Sequence, residues 1–328
     1  MTLLSLQDLR VTIDTPDGPA TLLDGVSFEL AAGQSLGVVG ESGCGKSMTA
    51  LAVMGLLPAA ARAQGQILFE GRDLLALDED ALCRVRGRRI AMVFQEPMTA
   101  LNPVKTIGDQ VAEGLRWHLG LGRGAAEARA LTLLQRVGLP APRFSPQLYP
   151  HQLSGGQRQR VVIAMALACE PALLIADEPT TALDVTSQAE ILDLIAEVTA
   201  ELGMALMLIT HDLAVVWQNT AAMLVMYAGC VVERGATAEV FARMAHPYTR
   251  GLLAASPHGL DADLPSGHRL ATIPGQVPDP HQRPPGCIFA GRCRRAADAC
   301  LPRPPAERTL VPGHGVACLF PHDDEAPA

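Results

Sequence analysis

The chain has 328 residues, 48% of them apolar, and its 34 acidic and 26 basic side chains give a net charge of −8. That balance excludes the basic footprint of a nucleic-acid binder. No apolar run reaches the roughly 18 residues a membrane-spanning helix needs, so a peripheral rather than an integral protein is expected.

The opening MTLLSLQDLRVTI has no basic segment and carries Asp8 and Arg10 early, which reads as a first strand rather than a leader. A cytosolic protein that meets a membrane only through a partner is expected. Further strands are expected at 26–30, Ser35–Val39, 89–94, Leu173–Asp177, Ala205–Thr210 and Ala222–Tyr227. A helix is expected at 47–57, stopped by Pro58, with others at 125–137 and 156–168. Strands alternating with helical patterns point to an α/β fold over residues 1–245, with a helical subdomain at about 97–168. Residues 246–328 form a separate appendage, and 13 of the 25 prolines and four of the eight cysteines fall after residue 256. Such a stretch reads as loop-rich, neither regular helix nor sheet, held by something other than a large core.

Three short stretches carry chemistry. GESGCGKS (Gly40 to Ser47) fits G-x-x-x-x-G-K-[ST], whose backbone N–H groups cradle phosphates. Lys46 reaches the β- and γ-phosphates there and the Ser47 hydroxyl ligates Mg²⁺; contacts to nucleotide are expected from Gly40, Glu41, Ser42, Gly43, Cys44, Gly45 and Met48 as well. LSGGQRQR (Leu153 to Arg160) places Ser154, Gly155, Gly156 and Gln157 at a helix N-terminus, an anion receptor that is also a serine N-cap. LLIADEP (Leu173 to Pro179) ends a buried strand in Asp177 and Glu178. Asp177 then stands beside the Mg²⁺ shell and Glu178 polarises the attacking water, unless the pair only ends a strand before Pro179.

In this order and context, the three stretches resemble the ATP-binding subunits of ABC transporters, with a P-loop (RecA-like) ATPase core. The resemblance implies that Gln95 senses Mg²⁺ and the attacking water and links the site to a membrane partner. It implies that His211 contacts the γ-phosphate and that Asp184 reaches toward the opposite subunit. The Ser154–Gln157 stretch then receives ATP held by a second subunit, so that two ATPases close head to tail on two nucleotides. One departure stands out: Ile13 occupies a place where an aromatic side chain usually stacks on adenine.

The cysteines divide evenly. Cys44, Cys83, Cys169 and Cys230 have no metal-ligand spacing and read as small buried apolar residues, with Cys44 open to oxidation within its loop. Cys287, Cys293, Cys300 and Cys318 form C-x5-C-x6-C-x17-C. In a cytosolic protein such clustering argues for a metal or cluster rather than disulfides. The spacing is looser than zinc-ribbon pairs and suits an iron–sulfur cluster, with zinc or no metal as alternatives. His281 and His314 lie nearby in sequence as alternate ligands.

FQEPMTALNP (Phe94 to Pro103), HPYTRGLLAASP (His246 to Pro257) and PPGCIFAGRC (Pro284 to Cys293) narrow the resemblance to the dipeptide and oligopeptide importer branch, dipeptide type. That branch implies ATP and Mg²⁺ as cofactors and a [4Fe–4S] cluster at the four cysteines. It also implies a paralogous second ATPase, two transmembrane permeases, an extracytoplasmic binding protein and a peripheral place on the cytoplasmic face of the inner membrane. Nickel, glutathione or another small solute is the alternative cargo. A soluble ABC ATPase of DNA repair or translation would share the ATP motifs, but this chain has neither a coiled-coil arm nor a second module. A tail acting as redox or metal sensor would be compatible with import.

Overall fold

A computed structural model describes residues 1–95, 97–181, 183–256 and 271–322. In chain order it contains β1 (Thr2–Thr15), β2 (Gly18–Ala31), β3 (Ser35–Val39), α1 (Lys46–Met54), β4 (Ala61–Phe69), β5 (Arg72–Asp73), α2 (Glu79–Val85) and β6 (Ile90–Val93). There follow α3 (Pro97–Ala100), α4 (Ile107–Leu119), α5 (Arg123–Arg136), α6 (Gly155–Leu167), β7 (Leu173–Asp177), α7 (Val185–Leu202) and β8 (Ala205–Thr210). The chain continues through α8 (Leu213–Asn219), β9 (Ala222–Tyr227), β10 (Cys230–Ala236), α9 (Thr237–Arg243), α10 (Pro247–Ala254), β11 (Arg308–Val311) and β12 (His314–Val316). Two compact units result: one comprises Met1, 31–34 and 76–207, the other 2–30, 35–75 and 208–328.

The unit that begins at Thr2 holds two sheets. One runs in the order β2-β1-β4-β5. Its first strand buries Leu4, Leu6, Leu9 and Val11, and its pairing with β4 slips between Gln7 and Arg10. Asp8 takes a left-handed φ of 49° at that bulge. A Cβ on the facing Gly65 would lie 2.4 Å from the Asp8 carbonyl oxygen, so the bulge requires glycine there. The other sheet places β3 parallel to β9, then β10, β12 and β11 antiparallel in turn. Helix α8 packs closely on β3: a Cβ on Gly37 would meet Val216 Cγ1 at 2.5 Å.

The other unit pairs β6 with β7 in parallel register, Ile90 opposite Leu173 through Val93 opposite Ala176. Around them lie α4, α5, α6 and α7, whose inward residues include Val111, Leu115, Leu134, Ile163 and Ile195. Apolar strands buried along their whole length and linked through helices are the mark of an α/β architecture.

Several expectations are corrected. Helix α1 ends at Met54, not residue 57, because Gly55 takes a left-handed φ of 62° and closes the last turn. The strand expected at 26–30 is the end of a much longer β2. Residues 308–316, expected to be irregular, form β11 and β12, and Glu233 and Arg234 of β10 pair with Val316 and Gly315 of β12. That edge pairing supplies backbone hydrogen bonds without a long apolar run, which is why composition concealed it. Of the isolated cysteines, Cys83 is exposed rather than buried.

Candidate functional site

In the unit containing 35–75, β3 delivers a fully buried Val39 to the glycine-rich loop. A Cβ on Gly40 would stand 2.2 Å from the Met226 carbonyl oxygen, and one on Gly45 would stand 2.6 Å from Leu23 Cδ2. Both positions also have positive φ, so glycine is needed for space and for backbone conformation. Lys46 is 5% exposed, and its ammonium donates to the carbonyls of Gly40 at 2.7 Å and Glu41 at 3.1 Å. Its charge is thereby held inside the loop. The Thr49 hydroxyl donates to the Gly45 carbonyl at 3.0 Å, and the Gly229 N–H donates to the Cys44 carbonyl at 2.9 Å. Ser42 and Gly43 form the exposed tip, while Ser47 and Met48 are half-buried at the start of α1. Cys44 is fully buried and burial pushes its thiol up, which corrects the reading of an oxidisable loop cysteine.

Two residues of the appendage also reach this loop. The Glu41 N–H donates to the Tyr248 hydroxyl at 2.8 Å. The Glu41 carboxylate receives both terminal nitrogens of Arg292, at 2.6 and 3.0 Å. Sequence reasoning missed both, since no local pattern joins positions so far apart. His211 belongs to the same unit and is exposed just after β8.

The other unit holds the acidic pair. Asp177 ends the buried strand β7 and is 4% exposed. Glu178 follows with a left-handed φ of 46°, an unfavourable conformation for a side chain of this size. Its carboxylate accepts from Gln95 Nε2 at 3.2 Å and from the Thr181 hydroxyl at 3.0 Å. The structure thus brings Gln95 and Glu178 together and adds Thr181, which sequence reasoning had left out. In this unit too, the Ser154 hydroxyl accepts from the Gln157 N–H, and Gln157 Oε1 accepts from the Ser154 N–H at 2.9 Å. This reciprocal pair fixes the start of α6. Cβ atoms on Gly155 and Gly156 would lie 3.6 Å from Leu183 and Ser187, so the two turns adjoin. Asp184 caps α7, and the Ser187 N–H and hydroxyl hold its carboxyl below the usual range. Gln159, fully buried, donates to the Pro179 carbonyl at 2.7 Å and ties α6 to the turn after Glu178.

The family described as ABC transporter matches residues 23–181, and the oligopeptide/dipeptide transporter C-terminal region matches 232–300. The chain is 47% identical to the oligopeptide transport ATP-binding protein OppD of Escherichia coli, over 98% of this chain and 94% of that protein. It is 45% identical to the dipeptide transport ATP-binding protein DppD of the same organism, over 99% and 98%. The chain belongs to the oligopeptide/dipeptide branch of the ABC transporter ATP-binding proteins. Among solved structures, the dimeric cassette MJ0796 in a post-hydrolysis state with ADP and Pi matches with TM-score 0.64 and 28% identity, over 72% of this chain and 99% of that one. This ABC chain is therefore an ATP-hydrolysing subunit with a P-loop α/β core, and among its described residues no helix is long and apolar enough to cross a membrane.

Four of the eight cysteines of this ABC protein lie in the appendage, three of them within the matched C-terminal region. Cys287, Cys293, Cys300 and Cys318 line one small cavity together with Phe289 and Arg295. Burial pushes the thiols of Cys287 and Cys293 up, and that of Cys318 up to about 11, with the neighbouring thiols adding to the rise. Among the described residues, no group of three or more His, Cys, Asp or Glu converges closely enough to hold a metal ion. The four cysteines expected to hold a cluster thus line one cavity but do not form a converged ligand set. His314 and His281 are corrected as alternates. The first is buried and bonded through Nε2 to Glu233 at 2.9 Å; the second is exposed beside Thr15.

The appendage is anchored by a core of its own unit, not by loops alone. Phe289 is 3% exposed and meets the Tyr227, Tyr248 and His246 rings edge-on or tilted at 5.1 to 5.7 Å between centroids. Glu233, 1% exposed, accepts from the N–H groups of Ala245 and His246, each at 2.9 Å.

Proposed function

We propose that this chain powers the import of di- and oligopeptides by hydrolysing ATP on a membrane transporter. The observation that carries the cargo class is the C-terminal region shared with oligopeptide and dipeptide transporters, built here on the same unit as the phosphate loop. Backbone N–H groups of the Gly40 to Met48 loop, apart from the Glu41 N–H given to Tyr248, hold the phosphates and Lys46 neutralises them. Ser47 and Gln95 would hold Mg²⁺, with Asp177 beside its shell, and the ion would supply charge neutralisation at the phosphates. Glu178 accepts a proton from the attacking water, and His211 meets the γ-phosphate. The contact of Gln95 with Glu178 supports this assignment, because it fixes the carboxylate that must face the water.

The helix N-terminus at Ser154, Gly155, Gly156 and Gln157, with Asp184 beside it, faces nucleotide on a second ATPase, here a paralogue. Two permeases and an extracytoplasmic binding protein complete the assembly on the cytoplasmic face of the inner membrane. Residues 1–245 form the ATPase domain, with 97–168 its helical subdomain and 246–328 the extension. Four thiols around one cavity, with no carboxylate among them, are a donor set for an iron–sulfur cluster. Such a cluster would supply covalent cross-linking of the loops and a redox centre. Anaerobic purification followed by iron, sulfide and zinc assay tests it: a colourless protein with one zinc refutes the cluster.

The function is tested by uptake of labelled di- and oligopeptides in cells carrying the native chain or Glu178→Gln. Loss of uptake, with ATP turnover lowered by about 10² to 10⁴ and ATP binding kept, is expected. Peptide uptake that persists when ATPase activity is gone would move the cargo to nickel, glutathione or another solute.

A further inference from the structure

We infer that Arg292 and Tyr248 are positioning residues for the phosphate loop, so that the cysteine-bearing extension sets the affinity for nucleotide. This rests on the ATP-binding reading of residues 40–48. Glu41 is the first variable position of the loop. Its N–H donates to the Tyr248 hydroxyl, its carbonyl accepts from Lys46, and its carboxylate is gripped by Arg292. All three of its polar groups are therefore committed, two of them to the extension.

The grip is built to be rigid. The Arg292 side chain is 6% exposed and also donates from Nε to the Pro274 carbonyl at 2.8 Å and from a terminal nitrogen to the Ile273 carbonyl at 3.2 Å. Its guanidinium carbon stands 5.6 Å from the centre of the Tyr227 ring. A planar fork with fixed donors on both sides leaves the carboxylate one orientation, which lysine cannot reproduce. Tyr248 is fully buried and packs on Tyr227 at 4.7 Å, so its hydroxyl is equally fixed.

A surface ion pair with this geometry would matter little, but here the guanidinium is buried, the carboxylate is only partly exposed, and the pair touches the backbone segment that must cradle phosphate. Arg292 closes a short helical turn, Ala290–Arg292, and immediately precedes Cys293. The cysteine cavity therefore has two links to Glu41, Arg292 beside Cys293 and Phe289, which lines the cavity and packs on Tyr248 at 5.3 Å.

The test is titration of the full chain with Mg²⁺–ATP, alongside ATPase rates at saturating ATP, for Arg292→Lys, Tyr248→Phe and the Glu41→Gln/Arg292→Lys pair. Tyr248→Phe keeps the ring packing, so it stays informative if the arginine variant folds poorly. The expected result is a Kd raised about tenfold by Arg292→Lys and severalfold by Tyr248→Phe, with the saturated rate within about twofold of native. The double variant is expected to bind no worse than Arg292→Lys alone. A purely structural role would instead lower the active fraction and leave Kd unchanged. Native-like Kd in both single variants, with the native chain binding ATP, overturns the inference. A native chain that binds no ATP would overturn the ATP-site reading itself.

Discussion

Acid should loosen the unit that carries the phosphate loop, and His246 should account for much of the loss. Its ring is 1% exposed and its Nδ1 accepts the Tyr248 N–H at 3.1 Å, capping α10. A protonated ring would turn that acceptor into a donor facing a donor. Burial pushes the ring down to about 4 from 6.5; Glu233 opposes this and His322 adds to it. In the unfolded chain the ring takes up a proton as pH falls through 6.5, whereas the folded ring stays neutral until about 4. Stability is therefore fully present above pH 6.5 and is lost as pH falls across that window. The separation corresponds to about 3 kcal/mol in full and about 2 kcal/mol by pH 5.

The two tryptophans are Trp117 and Trp217, and the second packs on Phe241 at 4.9 Å. In a Trp117→Phe background, urea unfolding followed by Trp217 fluorescence reports on this unit. His246→Asn keeps a capping acceptor but cannot titrate. The stability gap between native and His246→Asn should shrink by about 2 kcal/mol between pH 7.5 and pH 5. Parallel profiles across that range would refute the neutral, buried histidine.

Gly286→Ala should disrupt the extension, since the added Cβ would lie 2.3 Å from the carbonyl oxygens of both Cys300 and Leu301. A cost of about 1–3 kcal/mol is expected, and Cys300, now 8% exposed, should label with a thiol reagent much faster; native labelling rates would show that the turn absorbs the methyl. Ile13→Phe should tighten ATP binding about fivefold or more by offering a stacking face to adenine, measured as Kd. An unchanged constant would mean that the base is seated elsewhere.

What the sequence disclosed was local. Gly40 to Ser47, Ser154 to Gln157 and Asp177–Glu178 each lie within a few residues, and each reflects a backbone that must turn, cap or end in one way. The strands β3, β7, β8 and β9 were legible because they are apolar throughout, which follows from burial on both faces. Strand β4 was not, because ARAQGQILF has no buried residue before Ile67 and exists through its register with β1. Similarly, β11 and β12 sit among prolines and glycines and owe their pairing to the edge of β10. The Arg292–Glu41 and Tyr248–Glu41 contacts are invisible to any pattern of spacing, since chemistry and not periodicity selects them.

The positions that hold Glu41 lie 207 and 251 residues further along the chain. Synthesis proceeds from the N-terminus, so the phosphate loop leaves the ribosome long before its supports exist. Contacts this distant in sequence are slow to close and come late in folding. A nascent or prematurely ended chain would carry the whole nucleotide motif yet lack the braces that set its shape. Placing those braces 207 and 251 residues downstream makes synthesis of the extension a condition for the loop's final shape.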